Sequence, residues 1–293
     1  MASAAAPAPA AAAVALASGK GHRDENFPVA SWLLTREHRA PVLAFYRFAR
    51  AADDVADAAA PPADKLRRLG AMRRGLDGGA DGAAEALALR AVLIERHLSD
   101  IHARELLDAF TQDVHVDRYP DWAALIGYCR LSAMPVGRFV LDVHGEDPGR
   151  TWPASDALCA ALQVVNHLQD CGKDYRGMDR VYLPADMLAM ARARVEELGA
   201  PSASPALLAA IRAAAVRTQA LLAASAPFAG LIRDRRLAAE VAVIQRLAED
   251  LCERLLHRDP LSERVHHRPG EALRLAAGPA LRQLLRVRQG RTG

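Results

Sequence analysis

Apolar residues recur at helical spacing along most of the chain. The first clear stripe follows Glu37 and leads into an acidic cluster; its members are Val42, Phe45, Tyr46 and Ala49. Pro61 and Pro62 end this predicted helix, because proline cannot continue a helix interior. No segment alternates apolar and polar residues with period two, and no repeat or linker divides the body. The pattern therefore predicts one all-α domain.

Proline, glycine and N-cap residues set the limits of the other predicted helices. These helices cover about residues 63–76, 83–97, 101–115, 122–143, 153–176, 184–198, 205–224, 236–257 and 271–288. Asp121 is the expected N-cap of the helix at 122–143, which we expect to kink near Pro135 and Gly137. The pair Pro148-Gly149 is predicted to break the chain before the next helix.

The composition is that of a soluble globular protein. About half of the 293 residues are hydrophobic and a quarter are charged. A net charge of only +3 argues against a surface dedicated to nucleic acid, so we expect no nucleic-acid partner. The four cysteines show neither CxxC nor metal-ligand spacing, which fits the reducing cytoplasm.

The two ends of the chain differ from the body. The alanine-rich start contains Pro7 and Pro9 and lacks a basic segment, so residues 1–22 are predicted to be a disordered leader and 23–290 the helical domain. No later segment is expected to cross a bilayer. Residues 271–288 set leucines among arginines. We favour a last helix packed on the body, with peripheral contact at the inner membrane surface as the second interpretation.

Two acidic clusters more than a hundred residues apart carry the chemistry. Asp53 and Asp57 share one helix face, and Asn166, Asp170 and Asp174 stack on successive turns of another helix. Like carboxylates at this spacing repel each other, so a cation between the clusters would relieve the repulsion. Oxygen-only ligands favour Mg²⁺, which commonly binds through a few carboxylates and substrate phosphates. The clusters predict a metal-assisted diphosphate site.

A plainer interpretation is a solvated helix face. An aspartate pair is common on helix surfaces, and Arg50 stands three residues before Asp53, where a surface ion pair would contribute little. Val164, Val165 and Leu168 make the second cluster's helix apolar, however, and buried aspartates without partners are costly. The metal interpretation is therefore preferred.

Flanking residues complete the predicted site. Arginines suit phosphate oxygens and aromatic faces stabilise a carbocation. The candidate arginines are Arg47, Arg50 and Arg180, and the candidate aromatic walls are Phe27, Phe45, Tyr46, Phe48, Tyr128 and Phe139. Tyr182 is either a packing residue or a hydroxyl anchor. The lone histidines, His167 excepted, are taken as ordinary residues.

Several motifs resemble the squalene and phytoene synthase family. They occupy residues 27–34, 44–57, 128–137, 166–174 and 180–184, in the family's order, within a match from about residue 24 to 257. The resemblance implies an isoprenoid synthase-type helical bundle with a central cavity. It implies Mg²⁺ ligands and catalytic side chains at Asp53, Asp57, Asp170 and Asp174, with Asn166 contributing oxygen. It further implies diphosphate contacts from Arg50 and Arg180 and a prenyl channel lined by Phe27, Tyr128 and Ala133. Lys173 either binds phosphate or balances local charge.

Some of these motifs are closest to a bacterial branch of squalene and hopanoid biosynthesis. Gln169, Lys173 and the segment 133–137 depart from the relatives that condense two prenyl chains. The resemblance implies presqualene diphosphate as substrate, Mg²⁺, no nicotinamide cofactor, and capture of a rearranged cation by water with release of diphosphate. Contact with other enzymes of the pathway is a further expectation. Asn26, Tyr128, Ser132 and His167 are all candidates for positioning the water.

Two alternatives stay open at the level of sequence. One is condensation of two farnesyl diphosphates to presqualene diphosphate or squalene. The other is a non-catalytic scaffold protein on the same fold, which would predict eroded aspartates, whereas both clusters are intact.

Overall fold

Helices form nearly all the regular structure of residues 35–285, the part of the chain that this computed structural model describes. The helices are α1 (Arg36–Asp57), α2 (Pro62–Asp77), α3 (Ala84–Glu95), α4 (Ile101–Gln112), α5 (Trp122–Ser132), α6 (Met134–Val143), α7 (Pro148–Met178), α8 (Ala185–Ala191), α9 (Pro205–Ser225), α10 (Phe228–Leu231), α11 (Arg235–His257) and α12 (Pro269–Leu284). A 3₁₀ turn occupies Val195–Gly199. No β-strand occurs within residues 35–285, where a lone bridge joins Arg118 to Val181. The predicted all-α class is confirmed.

The core has two parts that meet at α6. Helices α1 to α4 enclose the smaller part, and α5, α7, α9 and α11 enclose the larger. From α6, Val136 and Phe139 enter the smaller part while Met134 and Leu141 enter the larger. The functional pocket lies between these two parts, with α1 and α4 on one side and α5 and α7 on the other.

Helix α7 is the centre of the larger part. It runs for 31 residues, and it packs against α6, α9 and α11. Gly137 allows α6 to approach it closely, because a Cβ there would lie 2.5 Å from Ser155 Oγ and 2.6 Å from Cys159 Sγ. This packing holds the second acidic cluster on a rigid element.

Most predicted helix limits agree with the structure, and three do not. The single kinked helix at 122–143 is two helices, because the chain leaves helical geometry at Ala133. Pro148 does not break the chain but starts α7, since a proline in the first turn costs no hydrogen bond; the Asp147 side chain caps this end by accepting from Gly149 N. The helix predicted at 184–198 ends at Ala191, where Arg192 adopts a positive φ of 58°.

The C-terminal helix α12 packs on α11, as the favoured interpretation predicted. Its other side nevertheless exposes apolar side chains, at Leu273, Leu281, Leu284 and Leu285. The predicted leader, residues 1–22, and the limits of the domain at 23 and 290 lie outside the described residues.

Two segments, Trp122–Val143 and Pro205–Leu231, are long and apolar enough to span a membrane by length and composition alone. The expectation that no later segment meets that criterion is therefore wrong. Both segments contribute to the protein core, with Leu125 and Phe139 buried in the first and Leu207 and Ile211 in the second. Burial inside the fold accounts for much of their apolar character.

Candidate active site

The two acidic clusters face one pocket. Asp53 and Asp57 line it from the last turns of α1, and Asn166, Asp170 and Asp174 line it from successive turns of α7. The pocket contains about 500 Å³ of empty space, its open mouth included. The four-residue spacing places the members of each cluster on one face of their helix, and the fold brings the two faces together in one pocket.

The first cluster is electrostatically strained. Burial raises the pKa of Asp53 to about 7, and repulsion from Asp57 adds to the rise, while Arg50 opposes it. The Asp53 side chain is only 17% exposed. A carboxylate in such surroundings carries its charge readily only when a further cation is present.

Arg180 connects the two sides of the pocket. Its Nη1 lies 2.6 Å from Asp57 Oδ1, and its Nη2 donates to the backbone oxygens of Ala56 at 3.5 Å and Asp113 at 3.3 Å. The chain turns sharply after α7 because Asp179 adopts a left-handed conformation, with φ of 52°. The backbone N–H of Val181 then donates to the backbone oxygen of Asp117, and this hydrogen bond fixes the segment that carries Arg180.

Asp113 is a pocket residue that the sequence interpretation missed. It follows α4, and its Oδ2 accepts a hydrogen bond from Tyr128 Oη at 2.9 Å. Its Oδ1 is buried without a hydrogen-bond partner among the described residues. Burial raises the pKa of Asp113 to about 6 although Arg180 and Tyr128 lower it. A lone aspartate at a helix end carries no local sequence signal for such a role.

An aromatic cluster forms the wall next to the acidic groups. The Tyr128 ring lies 5.3 Å from Tyr119 and 5.7 Å from Tyr182 between centroids, and His167 stacks on Tyr182 at 3.4 Å. Burial raises the pKa of Tyr128 well above its ordinary value, so its hydroxyl stays protonated. Tyr128 and Tyr182 therefore both line the pocket, and Tyr182 packs there against His167; its role as a hydroxyl anchor stays a prediction.

The other predicted aromatic walls within residues 35–285 lie off the pocket lining. Phe45 stacks on Phe139 with ring centroids 4.0 Å apart, and both belong with Phe48 to the smaller part of the core. Tyr46 is half-buried outside the pocket lining. Phe110, from α4, lines the pocket instead. The apolar stripe that contains Phe45 runs along α1 and packs into the smaller part of the core. The pocket wall is instead assembled from single residues on separate elements.

Three of the four candidates for positioning water lie in the pocket. The amide Nε2 of Gln163 donates a hydrogen bond to His167 Nε2 at 2.9 Å. Ser132 Oγ is buried without a hydrogen-bond partner among the described residues. Tyr128 is the third. Asn26 lies outside the described residues. His167 was expected to point off the Asn166 face, but the wall is wide enough to include both residues.

Several predicted substrate contacts lie off the pocket lining. Arg50 Nη2 is 2.9 Å from Oδ1 of the exposed Asp54, and its Nη1 is 3.6 Å from Oδ2 of Asp53. The pair with Asp53 considered in the plainer interpretation is therefore present, although the Asp53 side chain is only 17% exposed and Asp54 is the aspartate that lies on the surface. Arg47 and Lys173 are exposed, and Ala133 is buried where α5 meets α6. Phe27 lies outside the described residues. The roles assigned to these five residues stay predictions.

The residues that depart from the condensing relatives are also away from the acidic faces. The buried Gln169 amide donates to the backbone oxygen of Val265, in the segment between α11 and α12. Pro135 lies in the first turn of α6, beside the break at Ala133. Neither Gln169 nor Pro135 lines the pocket.

The donor set fits Mg²⁺. Every predicted ligand offers oxygen, from four carboxylates and one amide, which is the ligand type that this ion prefers. Burial first, and repulsion from Asp57 second, raise the pKa of Asp53 to about 7, and a cation bound beside it would favour its charged form.

An all-helical fold with two oxygen-rich helices facing across an aromatic-walled pocket defines the class of isoprenoid synthases. The chain belongs to the squalene/phytoene synthase family, whose model matches residues 21–271. Members of this family process prenyl diphosphates and generally use a divalent metal.

Its relatives include two hydroxysqualene synthases that match along nearly their whole length. That of Zymomonas mobilis is 54% identical over 262 residues, 88% of each chain. That of Rhodopseudomonas palustris is 53% identical over 270 residues, 92% of each chain. A presqualene diphosphate synthase of Rhodopseudomonas palustris is 31% identical over 170 residues, covering 56% of this chain and 59% of its own.

Solved structures agree with the fold. Squalene synthase HpnC from Alicyclobacillus acidocaldarius superposes with a TM-score of 0.68 at 30% identity, covering 77% of this chain and 85% of its own. A ligand-bound dehydrosqualene synthase gives a TM-score of 0.70 at 20% identity, covering 84% and 87%, which supports the fold alone.

Proposed function

We propose that the protein is a hydroxysqualene synthase, which converts presqualene diphosphate and water into hydroxysqualene and diphosphate with Mg²⁺ and without a nicotinamide cofactor. The observation that carries the proposal is the identity of 48–54% to hydroxysqualene synthases over about nine tenths of the chain. The facing acidic helices support it, since they supply a diphosphate site.

The diphosphate end of the substrate would meet the acidic pocket. Asp53, Asp57, Asn166, Asp170 and Asp174 would hold Mg²⁺, which when bound supplies Lewis-acid stabilisation to the departing diphosphate. Arg180 adds a fixed guanidinium at the same place. Its two backbone hydrogen bonds orient it before the substrate arrives, so little reorganisation is needed during the reaction.

The carbon skeleton would lie against the aromatic wall. When the carbon–oxygen bond breaks, the bonding electrons leave with diphosphate and the carbon skeleton becomes a rearranging cation. The ring faces of Tyr119, Tyr128, Tyr182 and Phe110 offer negative electrostatic potential to such a cation. Because the three tyrosine rings are packed against one another, they also limit the entry of bulk water.

One water molecule must still reach the cation. Its oxygen forms the new carbon–oxygen bond and its proton leaves to a neighbouring acceptor, so that the product carries one hydroxyl group. Ser132 Oγ, His167 and Tyr128 Oη line the pocket at the aromatic wall, and Asp113 accepts the Tyr128 hydrogen bond. We assign positioning of the water to this group of polar atoms.

For the location we propose a cytoplasmic enzyme with peripheral contact at the inner membrane, since the substrate and the product both carry long hydrocarbon chains. Helix α12 exposes 72% of Leu273 and 57% of Leu281, with Arg274 and Arg282 on the same helix. An exposed apolar stripe flanked by arginines is suited to an anionic bilayer surface. Co-sedimentation with anionic vesicles should be lost when Leu273 and Leu281 are both changed to Gln, and kept by the unchanged chain and by a control in which the half-buried Leu275 alone is changed to Met. Equal sedimentation of the double variant and the unchanged chain would contradict the proposal.

The substrate test uses two incubations of purified protein with Mg²⁺ and without nicotinamide. Presqualene diphosphate should give hydroxysqualene by mass spectrometry, and farnesyl diphosphate alone should give no product. Presqualene diphosphate formed from farnesyl diphosphate would assign the protein to the condensing enzymes. Inactivity of folded protein in both tubes would favour a scaffold role.

A further inference from the structure

A second cluster of potential metal ligands lies away from the pocket. It consists of His38 near the start of α1, His144 directly after α6 and Asp234 directly before α11. One nitrogen or carboxylate oxygen from each residue lies within 4.8 Å of the other two, and all three side chains are half-buried. Three separate parts of the chain therefore converge on one point.

The ring of His144 is held in the orientation of a metal ligand. Its Nδ1 lies 2.8 Å from the backbone oxygen of Val140, and because a carbonyl oxygen only accepts, this nitrogen must carry the proton. In the neutral ring the lone pair is then on Nε2. Metal-binding histidines usually donate their other nitrogen to a backbone carbonyl in this way.

His38 has a matching arrangement. Its Nδ1 lies 3.1 Å from Thr35 Oγ1, which leaves Nε2 for a ligand. The two imidazole rings are neighbours, with centroids 4.0 Å apart and planes at 49°.

Asp234 and Glu146 complete the arrangement. Asp234 caps α11 through Oδ1, which accepts from the backbone nitrogens of Arg236 at 2.8 Å and Leu237 at 3.2 Å. These two bonds leave Oδ2 for an ion. The buried Glu146 accepts from the backbone nitrogens of Arg233 and Asp234, so it fixes the turn that carries Asp234 beside the turn that follows His144.

We propose that His38, His144 and Asp234 bind a transition-metal ion, with Zn²⁺ as the best match. Two imidazoles and one carboxylate form a common three-residue zinc ligand set that leaves a fourth position for water. Imidazole nitrogen selects against Mg²⁺, so this site and the acidic pocket differ in the metals they take. Tetrahedral zinc places ligand atoms about 3.4 Å apart, so on binding the three donor atoms would close in from separations that are now within 4.8 Å.

The metal ion would have a structural role and would take no part in the reaction. His38 and Asp53 are fifteen positions apart along α1, about 22 Å of helix, so the ion would lie far from the pocket. It would join the start of α1 to the end of α6 and the start of α11, and thereby fix the helix whose other end carries the first acidic cluster. Binding to the folded chain alone would stabilise that chain by mass action.

The experiment is calorimetric titration of the full chain, freed of metal, with ZnCl₂ in the presence of excess Mg²⁺, which occupies the oxygen-only pocket. We expect one zinc ion per chain, a higher melting temperature with zinc, and the ligand-field absorption of tetrahedral Co²⁺ when cobalt replaces zinc. His38→Gln and Asp234→Asn should each weaken zinc binding by more than about 100-fold, since loss of an outer partner alone commonly costs 10- to 100-fold. Asp234→Asn keeps the helix cap, because asparagine caps as well as aspartate.

His257→Gln is the matched control. His257 is an exposed histidine at the end of α11, and its side chain hydrogen-bonds to Glu253. It should bind zinc as the unchanged chain does. Folding of every variant is checked by circular dichroism. Equal zinc binding by the unchanged chain and the two ligand variants, or no zinc binding by the folded unchanged chain, would overturn the proposal.

Discussion

Arg180 Nη1 lies 2.6 Å from Asp57 Oδ1, across 123 positions of sequence. This ion pair joins the segment that leaves α7 to the last turn of α1, so it sets how the two acidic helices face each other. With side chains only 11% and 21% exposed, the two charges are screened less than a surface pair would be.

We expect Arg180→Lys to lower kcat/KM by about 10- to 100-fold, because lysine keeps the charge but cannot also bond the Ala56 and Asp113 carbonyls, and small displacements of catalytic groups are costly. Steady-state kinetics measure the loss. Arg118→Lys, at a more exposed arginine paired with Asp179, should stay close to the unchanged enzyme. Equal kcat/KM values for the two variants would show that Arg180 has no specific role in the reaction.

Loss of one metal-binding carboxylate should nearly abolish turnover. Asp53→Asn and Asp170→Asn are each expected to lower kcat by about 1000-fold or more, because charge stabilisation by a bound metal contributes several kcal/mol. Circular dichroism should show an unchanged helical content. Asp54→Asn is the control, since Asp54 is the exposed neighbour of Asp53 on α1 and lies off the pocket lining. Near-normal turnover in the first two variants would refute the metal assignment.

Magnesium binding should depend on pH. Since the pKa of Asp53 is raised to about 7 by burial and by Asp57, the ion must displace a proton below that pH. The apparent affinity should therefore fall by about tenfold per pH unit below 7 and level off above 8. Titrations between pH 5.5 and 8.5 measure it. An affinity independent of pH would contradict the raised pKa.

The same raised pKa affects the stability of the metal-free protein. The folded chain keeps the Asp53 proton up to about pH 7, whereas the unfolded chain releases it near pH 4, so this group contributes less stability as pH rises between the two values. Asp53→Asn has no such charge and should gain melting temperature over the unchanged chain as pH rises from 5 to 8. Thermal unfolding in the presence of a chelator measures the difference in melting temperature between Asp53→Asn and the unchanged chain. An advantage of the variant that shrinks as pH rises would contradict the raised pKa of Asp53.

Asp113 and Tyr128 should act together. Tyr128→Phe removes the donor to Asp113 and should lower kcat/KM by about 10- to 100-fold, in line with the usual contribution of a positioned polar group. Asp113→Asn should have a comparable effect, and the double variant should lose much less than the product of both, as expected for coupled groups. Tyr175→Phe, on α7 off the pocket lining, is the control. Fully multiplicative losses would show that the two residues act independently.

The acidic clusters were predictable because a spacing of four residues on a helix places side chains on one face regardless of the fold around it. The contacts of Gln169 and Asp113 were not predictable in this way. Gln169 bonds to Val265, almost a hundred residues later, and Asp113 reaches the pocket only through the packing of α4 against α5. Pro148 was misassigned because proline both ends and begins helices, and the Asp147 cap decides between these outcomes.

The most direct test of the central claim is the origin of the product oxygen. Folded enzyme with Mg²⁺ converts presqualene diphosphate in water enriched in ¹⁸O, and mass spectrometry of the alcohol then reports the label. Ionisation of the carbon–oxygen bond followed by capture of water predicts ¹⁸O in the hydroxyl group and unlabelled released diphosphate. A hydroxyl group without ¹⁸O, or a hydrocarbon product in its place, would contradict the account.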